Sequence, residues 1–111
     1  MTYIVMRRTK RIIRVLSLEE FHEILENYKN NINISKHALS HLSRKQRNLF
    51  CKEDLVWPLL YEAPSLIGKQ NNGFFVVFFK RKESYLKIIL NVLEHRTEIV
   101  TFMNVKYTPS I

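Results

Sequence analysis

The stretch that most constrains the fold is the C-terminal half, where three dense β-type runs, FFVVFF, YLKIILNVL and IVTFMNV, follow one another across short charged breaks. Residues 74–79 are apolar on both faces, which suits a central strand covered on each side. They lack the interleaved basic residues of a base-stacking platform, so they read as core. Residues 85–93 alternate: Leu86, Ile88, Leu90 and Val92 face one way, and Tyr85, Lys87, Ile89 and Asn91 the other. Arg81-Lys82-Glu83-Ser84 and Glu94-His95-Arg96-Thr97 are the expected turns, and residues 99–105 the third strand. The second turn sets a parity. With a regular four-residue loop, Thr101 points with Leu90 and Val92 into the core. A loop one residue longer or shorter, or a bulge, turns it to the face of Lys87 and Asn91.

Upstream, residues 3–6 and 11–16 are rich in β-branched types and predict two short strands or one bent strand. Ser17 and Glu20 have capping-box spacing ahead of a helix over 18–29. That helix places Leu18, Phe21, Ile24, Leu25 and Tyr28 on one face. Its glutamates lie in the first turns, where the helix dipole favours them. Ser35 is a second N-cap candidate. In the helix it starts, His37 and His41 share a face with Arg44 and Asn48 near the same line, while Ala38, Leu42 and Leu49 face inward. A third helix carries Leu55, Val56, Leu59 and Leu60. Pro58 either starts it or kinks it, Pro64 ends it, and residues 65–67 form a short extended piece before Gly68. The sum is one α+β domain over residues 1–111, with helices on a small antiparallel sheet of at least three strands in the order β-α-α-α-β-β-β.

Eighteen Lys and Arg against ten Asp and Glu give a net charge of +8. A field of that sign favours a polyanion, chiefly through counterion release, and nucleic acid is the favoured partner class. Membrane headgroups fit less well, because no stretch joins a strong helical moment to a Lys-lined face. Cys51 is the single cysteine, so no internal disulfide is possible. Arginines interrupt every apolar run near the N-terminus. A secretory signal needs roughly 7–15 unbroken apolar residues and a membrane span about 20, so a cytoplasmic protein is expected. His37 and His41 have zinc-ligand spacing but no third or fourth partner, and His22 and His95 have no matching spacing. No metal or cofactor is therefore expected. Proton transfer or phosphate contact suits these imidazoles better, the plainer alternative being two solvated histidines on a polar helix face.

These residues together resemble the phage-associated nuclease families of the barnase, EndoU, colicin and RelE-like superfamily. The matching pieces are Ser35, Lys36 and His41 in an S-K-x-x-x-x-H segment, a Pro-started helix at Pro58, the A-P-S-L-I-G-K turn ending at Lys69, and a hydroxyl residue, Thr101, in the last strand. The likeness spans roughly residues 34–105, with an N-terminal strand and helix over about 1–30 added to it. It implies a RelE- or barnase-like fold and a metal-independent, toxin-like endoribonuclease. In that chemistry His41 is acid or base, Lys87 and Thr101 join it in catalysis, and Lys36, His37, Arg44 and Lys69 hold substrate phosphate. RNA is the implied partner, with DNA second and an acidic antitoxin or immunity protein as a regulator. Some relatives carry a second histidine a few residues after the first, where this chain has Gln46. Lys87 has independent support: a mid-strand charge is costly to bury, so its face is open or lines a cleft. The plainer alternative is that it snorkels from a half-exposed sheet. At the level of function, the alternative is a basic protein that binds nucleic acid or a partner without cutting.

Overall fold

The computed structural model describes residues 11–26 and 31–109; the expected strand at 3–6 and the end of the first helix, with Tyr28, lie outside them. The chain runs β1 (Ile12–Val15), α1 (Leu18–Glu26), β2 (Ile32–Ile34), α2 (Lys36–Ser40), α3 (Arg44–Leu49), α4 (Glu53–Tyr61), β3 (Leu66–Gln70), β4 (Phe75–Lys80), β5 (Tyr85–Val92) and β6 (Thr97–Val105). The strands form one six-stranded sheet in the order β1-β3-β4-β5-β6-β2. All neighbours are antiparallel except β2 and β6, which are parallel. The fold is α+β, and β4, β5 and β6 are consecutive antiparallel strands, as expected.

The expected small antiparallel sheet and its element order need correction. The sheet is mixed, and two strands go beyond that order. Strand β2 has three residues, too few to show any alternation. Strand β3, LIGKQ, extends the short piece expected at 65–67 through Gly68 and Lys69, residue types with little β-propensity. It forms because it is hydrogen-bonded between β1 and β4.

Helix α1 begins as its sequence requires. The Ser17 hydroxyl accepts from the Glu20 N–H at 3.1 Å, and the Glu20 carboxylate accepts from the Ser17 N–H at 3.0 Å. The Arg14 guanidinium also donates to Glu20 at 2.9 Å. The Ser17 N–H first, and Arg14 after it, hold the Glu20 carboxyl below its ordinary pKa. Helix α4 passes through Pro58, with no start or break there. The missing N–H leaves the carbonyl of Asp54 without its helical donor, at an exposed residue. The Pro58 ring itself is buried with Leu55 and Leu59.

Helices α1 and α4 cover one sheet face. Phe21, Leu25, Leu55 and Leu59 join Ile67, Val77, Phe79, Ile88, Leu90 and Ile99 in a single cluster. Each such side chain, taken from water to full burial, contributes about 1.5–3 kcal/mol. The opposite face holds a smaller cluster of Val76, Phe78 and Ile89. The alternation expected for β5 therefore holds. Leu18 and Leu49, expected inside, are 38% and 75% exposed. Among the described residues no helix is long and apolar enough to cross a membrane.

Two outcomes follow from these contacts. A Cβ on Gly68 would lie 2.8–3.0 Å from side-chain atoms of Ile12. Gly68→Ala should cost about 1–3 kcal/mol in urea unfolding, the scale of overpacking. Adding Ile12→Ala should cost less than the sum of the two single changes. Because the Glu20 pKa is lowered, its stabilisation is present above the unfolded carboxylate pKa and lost as pH falls through the folded one. The stability gap between wild type and Glu20→Gln, followed by thermal melts, should close in acid.

Candidate functional site

The site starts from an irregularity in β6. From the turn, Val92 pairs with Thr97, Asn91 with Glu98 and Leu90 with Ile99, after which Ile89 pairs with Thr101. Val100 is the extra residue, a β-bulge. Strand β6 thus begins at Thr97, inside the expected turn. Without the bulge Thr101 would stand opposite Ile88 in the main core; with it, Thr101 joins the face of Ile89 and Lys87. This is the second of the two arrangements open at the sequence level.

Ser35 ties the histidine helix to that bulge. Its N–H donates to the Ile99 carbonyl at 2.9 Å, which ends the β2–β6 pairing. Its hydroxyl donates to the Val100 carbonyl at 3.2 Å and accepts from the Ala38 N–H at 3.0 Å, capping α2. Ala38 is buried against the strand. Helix α2 therefore lies along the free edge of β6 and carries its two histidines to the Thr101 side. Their Nε2 atoms are 3.1 Å apart, with the rings edge to face at 87° and centroids 4.6 Å apart. One nitrogen must donate and the other accept, so the contact holds a single proton.

His37, His41, Lys87 and Thr101 line one cavity of about 330 Å³. A second cavity of about 450 Å³ adjoins it, lined by Ala38, Gln46 and Phe102 among others, and His41 and Thr101 belong to both walls. Lys87 is half-buried, with Nζ 6.0 Å from the Phe78 ring centroid. It lines the cleft, the first of the two readings of its mid-strand charge.

Other expected residues stand elsewhere. The helix expected to carry His37 through Asn48 breaks after Ser40, because Ser43 caps a new one. The Ser43 N–H donates to Gln46 Oε1 at 2.8 Å and the Gln46 N–H to Ser43 Oγ at 3.1 Å. Arg44 and Asn48 are exposed on α3, outside the walls of both cavities, and Leu49 is left in solvent. Lys36 is exposed beside His37 but does not line the cavity. Lys69 pairs with Phe75, which faces the α1–α4 core, and its Nζ lies 5.8 Å from that ring's centroid. It is therefore on the sheet face opposite Lys87 and does not line this cavity. Pro58, expected to start a helix, also lies away from the site.

Of the cavity residues not expected in the site, three are polar or aromatic: Gln70, Asn72 and Phe74. They belong to the β3–β4 hairpin, where the Gly73 N–H donates to the Gln70 carbonyl at 3.0 Å and the Gln70 N–H to the Phe74 carbonyl at 2.8 Å. Gly73 has φ +91°, the left-handed conformation glycine adopts without strain. The run Gln70-Asn71-Asn72-Gly73 was the available signal. It reads as turn chemistry, which gives no sign that Gln70 and Asn72 line a cavity. Among the described residues no three His, Cys, Asp or Glu side chains converge as a metal cluster.

No protein-family model, curated protein or solved structure matches this chain.

Ser35→Ala should lose both the cap and the tie to Val100. The expected cost is about 1–2 kcal/mol in denaturant unfolding, with changed NMR environments for His37, His41 and Thr101. An unchanged histidine spectrum would show that the tie does not position the pair.

Proposed function

We propose that this protein is a metal-independent endoribonuclease that cleaves RNA by attack of the ribose 2′-hydroxyl on the adjacent phosphate. One observation carries this reading: two imidazoles, an ammonium and a hydroxyl converge on one cavity of a chain with net charge +8. The substrate phosphate enters beside His41 and Thr101, between the two adjoining cavities, and displaces the contact between the histidines. One imidazole accepts the 2′-hydroxyl proton as the new O2′–P bond forms. The other, as imidazolium, gives its proton to the leaving 5′-oxygen as the P–O5′ bond breaks. The products are a 2′,3′-cyclic phosphate and a free 5′-hydroxyl. Lys87 and Thr101 stabilise the charge that builds on the non-bridging oxygens.

His41 keeps the role the superfamily likeness implies. His37 moves from phosphate holder to second proton carrier, the place that Gln46 leaves empty. Support for that likeness is uneven along the chain. His41 and Thr101 meet at the cavity and Ser35 caps the helix that carries His41, whereas Pro58 and Lys69 lie elsewhere. Lys36 and Arg44 serve the flanking phosphates from outside the cavity, where exposed cations steer a polyanion. A cytoplasmic site of action goes with this substrate. So does control by an acidic antitoxin or immunity segment lying over the same basic cavity.

Incubation with end-labelled RNA in EDTA should yield new 2′,3′-cyclic phosphate ends. His41→Ala should lower the rate by about two to four orders of magnitude, the usual worth of a positioned acid or base. If wild type and His41→Ala bind a broad panel of RNAs equally and neither cuts, the protein is a binder.

A further inference from the structure

We infer that the cavity beside the histidine pair is a pocket for one nucleobase, and that the Gln70 side chain reads the edge of that base. The inference deepens the ribonuclease reading and rests on it for the polymer, while the pocket can be tested alone.

Gln70 is the last residue of β3 and is only 4% exposed. Its backbone N–H and carbonyl are both used in the hairpin. Its side chain lies on the Thr101 face and lines the cavity. Among the described residues no hydrogen bond reaches its amide. Neither amide atom is sealed from solvent, so the unpaired carboxamide is open to the cavity. Such groups persist where a ligand or water satisfies them. Nothing in the fold requires glutamine here, since the smaller cluster on this face is apolar.

The surroundings suit a flat heterocycle. Phe74 and Ile89 supply apolar wall on the same face, and aromatic rings stack on bases of every kind. Asn72 gives its Oδ1 to the Phe74 N–H at 3.0 Å, so its side chain is held in the turn with the Nδ2 donor still available. A base here belongs to a nucleotide that flanks the reacting phosphate held between Lys87 and His41. The cavity adjoining it, across His41 and Thr101, takes the neighbouring nucleotide.

A glutamine amide places one donor and one acceptor side by side, the pair that meets adenine N7 and N6. Adenine is therefore the expected base. A well-made bidentate contact of this kind discriminates by about 1–3 kcal/mol, roughly 5- to 150-fold.

The test has two arms. The first measures binding of the four nucleoside 3′-monophosphates by calorimetry and by NMR of the Gln70 side-chain amide. The 3′-adenylate should bind about 5- to 150-fold tighter than the others, shift the Gln70 amide resonances, and lose its advantage in Gln70→Leu. The second arm cleaves RNAs that differ only at one base flanking the cut, comparing wild type with Gln70→Leu. Cleavage should favour adenine in wild type, and the variant should cut without preference while His41 dependence remains. If Gln70→Leu does not fold, Phe74→Leu serves instead, with weaker binding of all four nucleotides expected.

Equal binding of all four nucleotides to wild type, or no response of the Gln70 amide, would overturn the inference even if RNA is cut. Adenine-selective, Gln70-dependent binding without cleavage would keep the pocket and remove the ribonuclease. A preference for another base, lost in Gln70→Leu, would overturn the adenine assignment.

Discussion

The Ser35 hydroxyl holds two backbone groups at once: it accepts the Ala38 N–H and donates to the Val100 carbonyl. Val100 is the bulged residue of β6. The first contact starts the histidine helix, and the second anchors it to the strand where the strand changes parity. Thr101 reaches the Lys87 face only because Val100 is unpaired, and His41 reaches Thr101 only because α2 begins at Ser35. A bulge costs a ladder position and bends its strand. Here the orphaned carbonyl is satisfied by the same side chain that caps the neighbouring helix.

The two faces of the sheet have separate duties. One is filled by α1 and α4 and supplies most of the buried apolar surface. The other carries a thinner cluster and leaves space for polar groups. Parity assigns each cation to a face. Lys87 stands opposite Met103 beside the cavity, while Lys69, paired with Phe75, points to the packed side. Both are lysines in strands, and charge alone does not separate them. A pairing register does, because one step along a strand reverses every side chain.

The break between α2 and α3 shapes the site as much as the bulge does. A continuous helix would have carried Arg44 and Asn48 down the histidine face. The Ser43–Gln46 capping box makes a new helix start more favourable, and the Arg47 guanidinium donates to the Leu39 carbonyl at 2.8 Å to close the first helix. The histidines are left as an isolated pair at the end of a short helix, with Gln46 committed to the cap. Their chemistry then depends on what the sheet presents to them: Thr101, Lys87 and the hairpin amides.

Features set within a few residues were legible in the sequence. The Ser17–Glu20 cap, the amphipathic α1, the Ser35 cap, the His37–His41 spacing and the two faces of β5 all follow from periods of 3.6 or 2 and from side chains bonding to their own backbone. The tertiary structure decided what depends on distant partners. β2 is three residues long and exists because β6 pairs with it, and β3 forms around Gly68 because β1 and β4 flank it. The bulge at Val100 is bonded by a hydroxyl 65 residues away, so no local pattern encodes it. Gln70 looks like a turn residue until the fold sets it in the wall of the cavity that the histidines line. Local periodicity specifies which side chains share a face; only long-range pairing, with its register and irregularities, specifies which faces meet.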